Sequence, residues 1–345
     1  MTATQAPILV TGAAGFAGLA LTRALVASGH PVRALVRKPG QVPELERLGA
    51  EVVQGDVRDP RIVQRSVEAR GVVFHLASLL RRAGVPDSLY REVHVDATRH
   101  LIEAAAAAGV RRFVHCSTVG VHGDVAGGPA DEDAPMAPGD IYQRTKLEGE
   151  AAARDTAVRT GLALTVVRPG PMYGPADRRL FKLIGGVARR RFLLLGSGKP
   201  HLQMVYVDDL VEGLRLAAEV PEAVGRTYIL TGEEAPTLHE LVQEIAAIAG
   251  VPAPRVRLPV WPFWLAGALC EAVCLPFGVE PPIYRRRVKF FTNNRWFDIS
   301  RARAELGFAP RIPLREGIRR TLDSYRTSDG CRPAGTDQRG RDQPA

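Results

Sequence analysis

A tyrosine and a lysine four residues apart are the side chains of this sequence best suited to move a proton. Tyr142 and Lys146 belong to residues 141–146, whose composition predicts the start of a helix. Residues at this spacing stand on one helical face, one turn from each other. A free tyrosine, with a pKa of about 10, is a poor base at neutral pH, and a neighbouring ammonium lowers that pKa. The pair therefore predicts a phenolate that takes a proton from a substrate hydroxyl while the carbinol carbon gives a hydride to a nicotinamide.

Two hydroxyl side chains precede this pair along the chain. Ser117 and Thr118 follow residues 113–116, an apolar run that predicts a strand. In open α/β sheets, ligands bind at the carboxyl ends of the strands. A Tyr-x-x-x-Lys spacing by itself occurs on many exposed helices. Its meaning here depends on this hydroxyl pair and on a cofactor turn elsewhere in the chain.

That turn is present near the beginning of the sequence. Gly12, Gly15 and Gly18 lie between a β-branched run, residues 8–11, and an apolar helical pattern, residues 19–27. The first glycine permits the tight turn, the second lets the backbone approach a pyrophosphate, and the third lets the helix pack close to its strand. The helix N-terminus offers N–H groups and partial positive charge to phosphates. This context predicts a dinucleotide-binding turn, the alternative being an ordinary glycine-rich turn between strand and helix.

The end of the second predicted strand, residues 31–36, bears on the choice of cofactor. About 20 residues past the first glycine, an acidic side chain would bind the ribose hydroxyls of NAD. Val36, Arg37 and Lys38 stand there instead. A carboxylate repels a 2′-phosphate, whereas a guanidinium pairs with it. The sequence therefore favours NADP over NAD, with Arg37 as a ligand. The alternative is that Arg37 and Lys38 are a solvated strand end.

The ends of the third and fourth predicted strands, residues 51–54 and 71–76, are expected to line the same cofactor. Asp56 lies where its carboxylate would accept a hydrogen bond from the adenine amino group. It would equally serve as the N-cap of a helix that begins near Pro60, because aspartate is a good N-cap. The end of the fourth strand falls near the pyrophosphate or the nicotinamide ribose. The cofactor contacts predicted from these two ends are Asp56, Val57, Leu76 and Ala77.

Strand and helix patterns alternate through the first half of the chain, with a long helix predicted at residues 89–108. This alternation predicts an α/β fold: a Rossmann-type, doubly wound parallel sheet with helices on both faces. The second half predicts a smaller, mostly helical C-terminal substrate lobe. Its predicted elements are a pair of short strands at 193–198 and 204–209, a helix at 210–219, a return strand at 226–230 and a helix at 238–249.

We expect three parts along the chain. Residues 1–175 form the cofactor domain, with a return to the sheet near 205–232, and residues 176–325 form the interleaved substrate lobe. Residues 326–345 are rich in Ser, Gly, Arg, Asp, Gln and Pro, a composition that predicts disorder. The first residues carry no secretory signal, which favours a cytoplasmic location. The four cysteines lack metal-ligand spacing, so no metal site is expected.

Charge and hydropathy raise the question of further partners. The formal net charge is +9, but no segment resembles a nucleic-acid-binding module, and solvated basic faces or an anionic surface explain the excess. Residues 258–279 are about as long as a membrane span, yet Glu271 and three prolines interrupt them. They predict a short apolar helix, residues 263–275, that lies on a bilayer or covers an apolar pocket. The alternative is an internal packing helix.

Taken together, these segments resemble an extended short-chain dehydrogenase/reductase of the NAD-dependent epimerase/dehydratase family, over residues 8–325. The resemblance implies that Tyr142 is the base and that Lys146 binds the nicotinamide ribose and lowers the tyrosine pKa. It implies that Thr118 hydrogen-bonds the reacting oxygen, with Ser117 as a stand-in, and it adds Phe16 and Pro169 as cofactor contacts. The segments that carry it are 11–18, 116–118 with 121–123, Tyr142 with Lys146, 168–175 and 205–210.

Within that family the C-terminal half is similar to the subgroup related to 3β-hydroxysteroid dehydrogenases. Leu202 stands where nucleotide-sugar members often carry an arginine, although Lys199 or the cluster at 285–287 would compensate for a missing cation. Residues 258–279 are apolar. This implies an NAD(P)-dependent oxidoreductase acting on a secondary alcohol or ketone of a steroid-like or isoprenoid-like molecule, with peripheral membrane contact through 258–279. The alternatives are a nucleotide-sugar epimerase or dehydratase that retains its cofactor, and a non-catalytic cofactor sensor.

One residue departs from the family pattern. Many members carry an asparagine at the position of His94. The histidine either replaces that asparagine in holding a water or backbone group, or it simply packs between helices. By analogy with the family, a homodimer is expected to form through the helices around residues 89–108 and 151–160.

Overall fold

The computed structural model describes residues 7–81, 84–274 and 285–330. Short strands alternate with helices from the start of the chain, and most of these strands are rich in β-branched and other apolar residues, which pack on a pleated surface. The strands, in chain order, are β1 (Ile8–Thr11), β2 (Val32–Val36), β3 (Glu51–Gln54), β4 (Val72–His75), β5 (Arg112–Cys116), β6 (Leu164–Pro169), β7 (Met172–Tyr173), β8 (Leu194–Leu195), β9 (Val205–Tyr206), β10 (Thr227–Leu230) and β11 (Arg257–Leu258).

Helices connect most of these strands. α9 shows how the local sequence sets helix ends: Thr237 and Glu240 form a reciprocal capping box at its start, and Gly250 ends it at φ +69°. The helices are α1 (Phe16–Ala27), α2 (Val42–Arg47), α3 (Pro60–Val67), α4 (Asp87–Arg91), α5 (Ala97–Ala107), α6 (Ile141–Thr160), α7 (Phe181–Ala188), α8 (Val207–Glu219), α9 (Leu238–Ala249), α10 (Val260–Cys274), α11 (Arg285–Thr292), α12 (Ser300–Leu306) and α13 (Leu314–Gly330).

Seven of the strands form one parallel sheet in the order β10-β6-β5-β4-β1-β2-β3. Leu9 and Val10 of β1 are both fully buried, although neighbouring strand residues face opposite sides of a sheet. Leu9 packs in a cluster with Leu101 of α5, and Val10 in one with Leu214 of α8. Helices therefore cover both faces, which confirms the predicted doubly wound Rossmann-type sheet.

The strand order places a crevice at one point of the sheet edge. β1 pairs with β2 on one side and with β4 on the other, so the winding direction reverses there. Ligands of open α/β sheets bind outside the carboxyl ends of the strands at such a reversal. The carboxyl ends of β1 and β4 lead directly into the glycine turn and into Leu76 and Ala77.

Two helices of the first half differ from their predicted bounds. α1 begins at Phe16 rather than at residue 19, because Gly15 already supplies the extended backbone that precedes a helix. The single helix predicted at 89–108 is divided into α4 and α5 by a π-helical turn, Glu92–Asp96. The wider turn changes the direction in which side chains point along the segment. It leaves His94 buried, 1% exposed.

The two short strands predicted in the second half are present. The segments 193–198 and 204–209 contain β8 and β9, which pair with different strands. β8 pairs with β11, and β9 pairs with β7. α8 begins at Val207, directly after β9, and not at residue 210. The return strand is confirmed, because β10 pairs in parallel with β6. Local patterns indicate a strand, but only the fold selects its partner.

The apolar helix predicted at 263–275 is α10, which begins at Val260 and is described to Cys274. Large apolar side chains stand on its outer surface, among them Trp261, 69% exposed, and Leu269, 59% exposed. An internal packing helix would bury them. Within residues 7–81, 84–274 and 285–330, no helix is long and apolar enough to cross a bilayer.

The C-terminal end of the described chain is more ordered than predicted. α13 continues to Gly330, so residues 326–330 are helical, although disorder was expected from 326 onward. Ile318 and Leu322 of this helix are buried in an apolar cluster with Leu241 of α9, and this burial anchors the helix. Residues 331–345 lie outside the described residues.

Candidate active site

The glycine turn has the geometry of a phosphate cradle. Gly12 has φ +68°, a left-handed conformation that favours glycine, and a Cβ there would lie 2.7 Å from the backbone nitrogen of Ala77. A Cβ on Gly18 would collide with the carbonyl oxygen of Gly12. Gly15 precedes α1 and provides no side-chain cap, so the first N–H groups of the helix point into the crevice without one. These features fit a dinucleotide pyrophosphate.

Positive charge stands beside this cradle. Phe16 begins α1, and the guanidinium of Arg179 lies 5.2 Å from the centroid of its ring. Arg179 also donates to Asp177 and keeps 37% of its side chain exposed. An exposed guanidinium next to a helix N-terminus strengthens the attraction for phosphate. No motif predicts a role for Arg179, because this residue lies far along the chain from the glycine turn.

The predicted adenosine end holds a second group of charges. Asp56 accepts hydrogen bonds from the backbone and guanidinium of Arg58, and Arg58 also pairs with Glu92. Burial raises the pKa of Asp56, but Arg58 and the nearby charge of Arg37 lower it further, so the net shift is downward. Arg37 is exposed at the end of β2, and it is close enough to Asp56 for its charge to lower the pKa of that carboxylate.

The N-cap alternative for Asp56 is wrong. The residue that caps α3 is Asp59, whose carboxylate accepts a hydrogen bond from the backbone N–H of Arg61 at 2.9 Å. Asp59 immediately precedes the first helical residue, which is the position an N-cap must occupy. Asp56 lies three residues earlier, before the helix turn begins. Its carboxylate is bonded to Arg58, and Val57 beside it is buried.

A buried hydroxyl–imidazole chain begins at the end of β1. Thr98 donates its hydroxyl proton to the carbonyl of His94 at 2.8 Å, so it accepts from Nε2 of His75 at 3.0 Å. Nδ1 of His75 then accepts from the Thr11 hydroxyl at 2.8 Å. Burial, with the charge of Lys146, lowers the pKa of His75 to about 3. The ring is neutral, and the chain holds β1, β4 and α5 together beneath the cofactor crevice.

His94 continues these contacts towards Tyr142. The backbone N–H of Leu79 donates to its Nε2 at 3.0 Å, which places the ring proton on Nδ1, 2.8 Å from the hydroxyl oxygen of Thr145. Ser78 also lies 3.0 Å from Nε2. Burial, with a smaller effect from the charge of Lys146, lowers the pKa of His94 to about 3. The neutral ring thus joins the loop after β4 to α6. It lies edge-to-face with the Tyr142 ring, and the two ring centroids are 5.5 Å apart.

Tyr142 stands on the first turn of α6, between this loop and the carboxyl end of β5. It shares a hydrogen bond with Ser78, and the guanidinium of Arg81 lies 4.4 Å from its ring centroid. Burial raises the pKa of Tyr142, while the charges of Arg81 and Arg179 oppose that shift. The effect of Lys146 on this pKa stays a prediction. Two arginines from distant loops carry charges that lower it.

Lys146 is turned towards the sheet. Its Nζ donates to the carbonyl oxygen of Cys116 at 2.5 Å, and the residue is 3% exposed. Burial lowers the pKa of Lys146, although Cys116 and Glu150 act in the opposite direction. An ammonium has three donors, so this bond leaves two for other partners. The contact ties α6 to the last residue of β5.

The two hydroxyls after β5 have different surroundings. The oxygen of Thr118 accepts from the N–H of Gly120 at 3.1 Å and caps a short 3₁₀ helix, Val119–His122. Its own hydroxyl proton stays available for a donor role. Ser117 is 4% exposed, and its hydroxyl has no hydrogen-bond partner among the described residues. Both residues lie at the strand end that Lys146 contacts.

A buried ion pair holds the middle of α6. Arg168 of β6 is 1% exposed and forms two bonds with Glu150, at 2.6 and 3.1 Å. Tyr142, Lys146 and Glu150 follow at four-residue spacing on α6, so one helical face carries all three. Pro169, the last residue of β6, directly follows Arg168 of this ion pair. Arg168 is held within the protein and does not extend into the crevice.

The structure brings the predicted residues to one edge of the sheet. The glycine turn, Ala77, Ser117, Thr118 and the first turn of α6 follow the carboxyl ends of β1, β4 and β5. Sequence reasoning missed the arginines at the site, because long side chains reach it from segments without a recognisable motif. In the sequence, only the unusual histidine at position 94 pointed to the buried hydrogen bonds between the loop after β4 and α6. The arginines missed in this way are Arg58, Arg81 and Arg179.

Comparison with known proteins adds independent information. Residues 8–230 match the sequence model of the NAD dependent epimerase/dehydratase family. A 2-alkyl-3-oxoalkanoate reductase from Stenotrophomonas maltophilia is 32% identical over 328 residues, which cover 91% of this chain and 97% of that protein. The 3beta-hydroxysteroid-dehydrogenase/decarboxylase isoform 1 from Arabidopsis thaliana is 30% identical over 364 residues, covering 94% of this chain and 81% of that protein.

Solved structures show the same architecture. The crystal structure of a UDP-glucuronic acid 4-epimerase from Bacillus cereus, in complex with NAD, matches with a TM-score of 0.75. The match covers 93% of this chain and 99% of the epimerase, at 23% identity. At that identity the similarity establishes the fold alone.

Proposed function

Because this chain belongs to the NAD-dependent epimerase/dehydratase family, enzymes of the extended short-chain dehydrogenase/reductase type, we propose that it is an NAD(P)-dependent oxidoreductase of an apolar secondary alcohol or ketone. One observation carries the proposal. Tyr142 stands at the sheet edge that also carries the glycine turn, with Ser78 and Arg81 on its phenol. A phenol held in this way has one evident use, the transfer of a proton at a substrate oxygen.

The chain's own residues divide the work. Tyr142, as phenolate, takes the proton of a substrate hydroxyl or, as phenol, returns it to a ketone oxygen. Thr118 donates its free hydroxyl proton to the same oxygen. Lys146 uses its two remaining donors to orient the nicotinamide ribose. When bound, the nicotinamide accepts or supplies the hydride. Arg81 and Arg179 lower the pKa of Tyr142 against the effect of burial and so increase the phenolate fraction.

The substrate is apolar in this proposal. Leu202 is 2% exposed and offers no cation to a nucleotide diphosphate, which needs charge-assisted contacts. Phe192, Phe290 and Phe291 form a group of aromatic rings with centroids 5.3 and 5.8 Å apart. The names of the relatives point the same way, because one reduces 2-alkyl-3-oxoalkanoates and another acts on 3β-hydroxysteroids. A nucleotide-sugar epimerase or dehydratase is the competing function that the test must separate.

The finer choice of cofactor and the site residues belong to the same proposal. Arg37 is exposed at the end of β2, and a guanidinium there suits a 2′-phosphate, which supports NADP over NAD in this proposal. Gly12, Gly15, Phe16, Gly18 and Pro169 are proposed as further cofactor contacts, with Asp56, Val57, Leu76 and Ala77 on the strand ends. We also retain the division into a cofactor domain, residues 1–175, and a substrate lobe, residues 176–325.

Membrane contact through α10 is proposed as an accessory property. Trp261, Trp264, Leu265 and Leu269 follow at helical spacing and are exposed, and the guanidinium of Arg285 lies 5.8 Å from the Trp264 ring centroid. Apolar residues beside basic ones suit an anionic bilayer surface. Flotation with anionic vesicles tests this: Trp264→Gln combined with Leu269→Gln should abolish binding. Flotation of the double variant at the wild-type level would contradict it.

The central test is a screen of hydroxysteroids, apolar secondary alcohols and UDP-sugars with both NADP and NAD. We expect net cofactor reduction with apolar alcohols in the wild type and its loss in Tyr142→Phe, which should still bind cofactor, because only the base is removed. Tyr90→Phe is a matched control, since this buried tyrosine packs against α6 without serving as the base. A UDP-sugar product formed without net cofactor turnover would instead establish the competing function.

A further inference from the structure

Ser78 stands where the loop after β4 meets the proposed base. The residue is exposed at the sheet edge, and its hydroxyl oxygen lies 3.0 Å from Nε2 of His94. The same hydroxyl shares a hydrogen bond with the phenol of Tyr142. The rings of His94 and Tyr142 lie edge-to-face, with centroids 5.5 Å apart. One hydroxyl therefore contacts the polar atoms of both rings.

The hydrogen bonds around His94 determine which of its nitrogens carries the proton. Thr145 donates its hydroxyl proton to the carbonyl of Ile141 at 2.8 Å, so its oxygen accepts from Nδ1 of His94 at 2.8 Å. On the other side of the ring, the backbone N–H of Leu79 donates to Nε2 at 3.0 Å. Nε2 therefore carries no proton and is an acceptor only. It follows that Ser78 receives no hydrogen bond from the imidazole, and its oxygen is available to the phenol.

The packing of α6 on the π-helical turn Glu92–Asp96 holds this imidazole in place. A Cβ on Gly149 would lie 2.1 Å from the carbonyl oxygen of His94, so a glycine is needed for α6 to approach the turn this closely. The same carbonyl accepts from the hydroxyl of Thr98 at 2.8 Å. Turns of this kind redirect side chains and are frequent at functional sites. The imidazole is therefore a fixed acceptor beside the Ser78 hydroxyl.

From this arrangement we propose that Ser78 is a catalytic residue whose hydroxyl reorients with the ionisation of Tyr142, and that His94 is its positioning residue. When Tyr142 is a phenol, it donates to Ser78, and Ser78 donates to Nε2 of His94. That nitrogen is then shared with the N–H of Leu79. When Tyr142 is a phenolate, the serine hydroxyl rotates and donates to the phenolate oxygen. A serine hydroxyl both donates and accepts and rotates to suit its partners, so it is hydrogen-bonded in both states.

This inference rests on the proposed function, because it assigns a partner to the base of that reaction. In oxidation, the carbinol hydride goes to the nicotinamide, and the hydroxyl proton of the substrate goes to the Tyr142 oxygen. Ser78 then turns its own proton from that oxygen to His94 and transfers none. A hydrogen bond to the charged form of a group favours that form. The serine therefore stabilises the phenolate before the proton transfer and accepts from the phenol after it.

Other groups also act on the phenol, and the test must separate Ser78 from them. Burial raises the pKa of Tyr142, as does Cys116, whereas the charges of Arg81 and Arg179 lower it. The neighbouring imidazole contributes no charge, because burial lowers its pKa to about 3. A substitution at the serine leaves all of these groups in place.

The first measurement does not depend on turnover. Phenolate absorbance is titrated at high pH in the cofactor-free protein, and the matching Tyr142→Phe protein is subtracted each time to isolate one of the seven tyrosines. In Ser78→Ala we expect the ionisation of Tyr142 to move to higher pH by about one unit, as loss of a hydrogen bond to a charged group indicates. Ser78→Thr keeps the hydroxyl and should titrate near the wild type. Ser88→Ala, exposed in the first turn of α4, is the control.

The second measurement is the pH dependence of kcat for an apolar secondary alcohol. Its midpoint in Ser78→Ala should move to higher pH by the same amount, with the Kd for NADP unchanged. Because His94 acts through Ser78, His94→Ala should move the midpoint of the wild type to higher pH. In the Ser78→Ala background it should add no further movement, whatever it does to the plateau rate.

Two results would overturn the assignment and leave the oxidoreductase intact. One is a Tyr142 titration that does not move in Ser78→Ala. The other is an equal effect of His94→Ala on the midpoint with and without Ser78. If no alcohol is oxidised, the proposed function fails, and the phenolate titration still decides whether Ser78 donates to Tyr142.

Discussion

The ion pair between Glu150 and Arg168 yields a quantitative prediction about how α6 is held on the sheet. Glu150 is 2% and Arg168 1% exposed, and the two are joined by bonds of 2.6 and 3.1 Å. Glu150→Gln keeps the shape of the side chain but removes its charge. The guanidinium of Arg168, bonded also to the carbonyl of Glu132, would then be a buried cation without a counterion.

The expected cost follows from that burial. Removing one partner of a buried pair costs about 3–5 kcal/mol, because the remaining charge is left uncompensated. The matched control is Glu103→Gln. Glu103 of α5 pairs with Arg159 of α6 at 2.8 Å, but these two side chains are 39% and 61% exposed. An exposed pair contributes less than about 1 kcal/mol, so the control should be nearly neutral.

Urea unfolding followed by circular dichroism measures both variants against the wild type. Adding Arg168→Met to Glu150→Gln should recover part of the lost free energy of unfolding, because the unpaired charge is then absent. Similar losses of stability in Glu150→Gln and Glu103→Gln, or a double variant less stable than Glu150→Gln alone, would contradict this prediction.

The same pair has a defined pH dependence. Burial raises the pKa of Glu150, but Arg168 and Arg154 outweigh burial, and the pKa in the folded protein lies below the ordinary value of 4.5. The contribution to stability is therefore fully present above the unfolded pKa and is lost as pH falls through the folded one. The stability difference between wild type and Glu150→Gln should narrow below pH 4.5, which unfolding curves across the acid range would measure.

Three further predictions concern catalysis and cofactor. Arg37→Ala should weaken NADPH binding by about 10- to 100-fold, through loss of a charge-assisted contact, and leave NADH binding nearly unchanged; equal effects in fluorescence titrations would remove the 2′-phosphate argument. His94→Ala should lower kcat by about 100-fold through misplacement of Tyr142, with the Kd for cofactor unchanged, whereas a normal kcat would leave His94 a packing residue only. Oxidation of a neutral alcohol should accelerate as pH rises through the pKa of Tyr142. Arg81→Gln should shift that increase in rate to higher pH, because it removes a cation that lowers this pKa. An unshifted pH–rate profile would contradict an effect of Arg81 on the phenol.

Much of the fold is encoded locally. The β-branched runs become strands because such residues suit a pleated, buried surface. The glycine turn can be recognised from sequence because its backbone requires glycine. Gly12 has a left-handed conformation, and the backbone packs too closely at both Gly12 and Gly18 for a side chain. α9 occupies residues 238–249 as predicted, because Thr237 and Gly250 mark its two ends. The family resemblance depends on such local segments, which is why it is visible without a structure.

The site's electrostatics depend on contacts that no local pattern contains. Lys146 and Tyr142 were predicted as a pair from their helical spacing, but Lys146 bonds to the backbone carbonyl of Cys116, a partner that side-chain patterns do not reveal. One cation beside the phenol, Arg81, lies 61 residues before Tyr142 in the chain. A long side chain reaches whichever group the fold brings near it, and its own sequence neighbours carry no record of that group.

The sheet, the phosphate cradle and the helix that carries Tyr142 can therefore be predicted from the amino-acid sequence, since each follows from backbone geometry or periodicity within a few residues. The charges around the phenol, the neutral state of His94 between two segments, and the separate partners of β8 and β9 depend on the folded chain. The difference lies in the range of the interactions. Local conformational preferences act between sequence neighbours, whereas burial and electrostatic contacts act through space and exist only once the chain has closed upon itself.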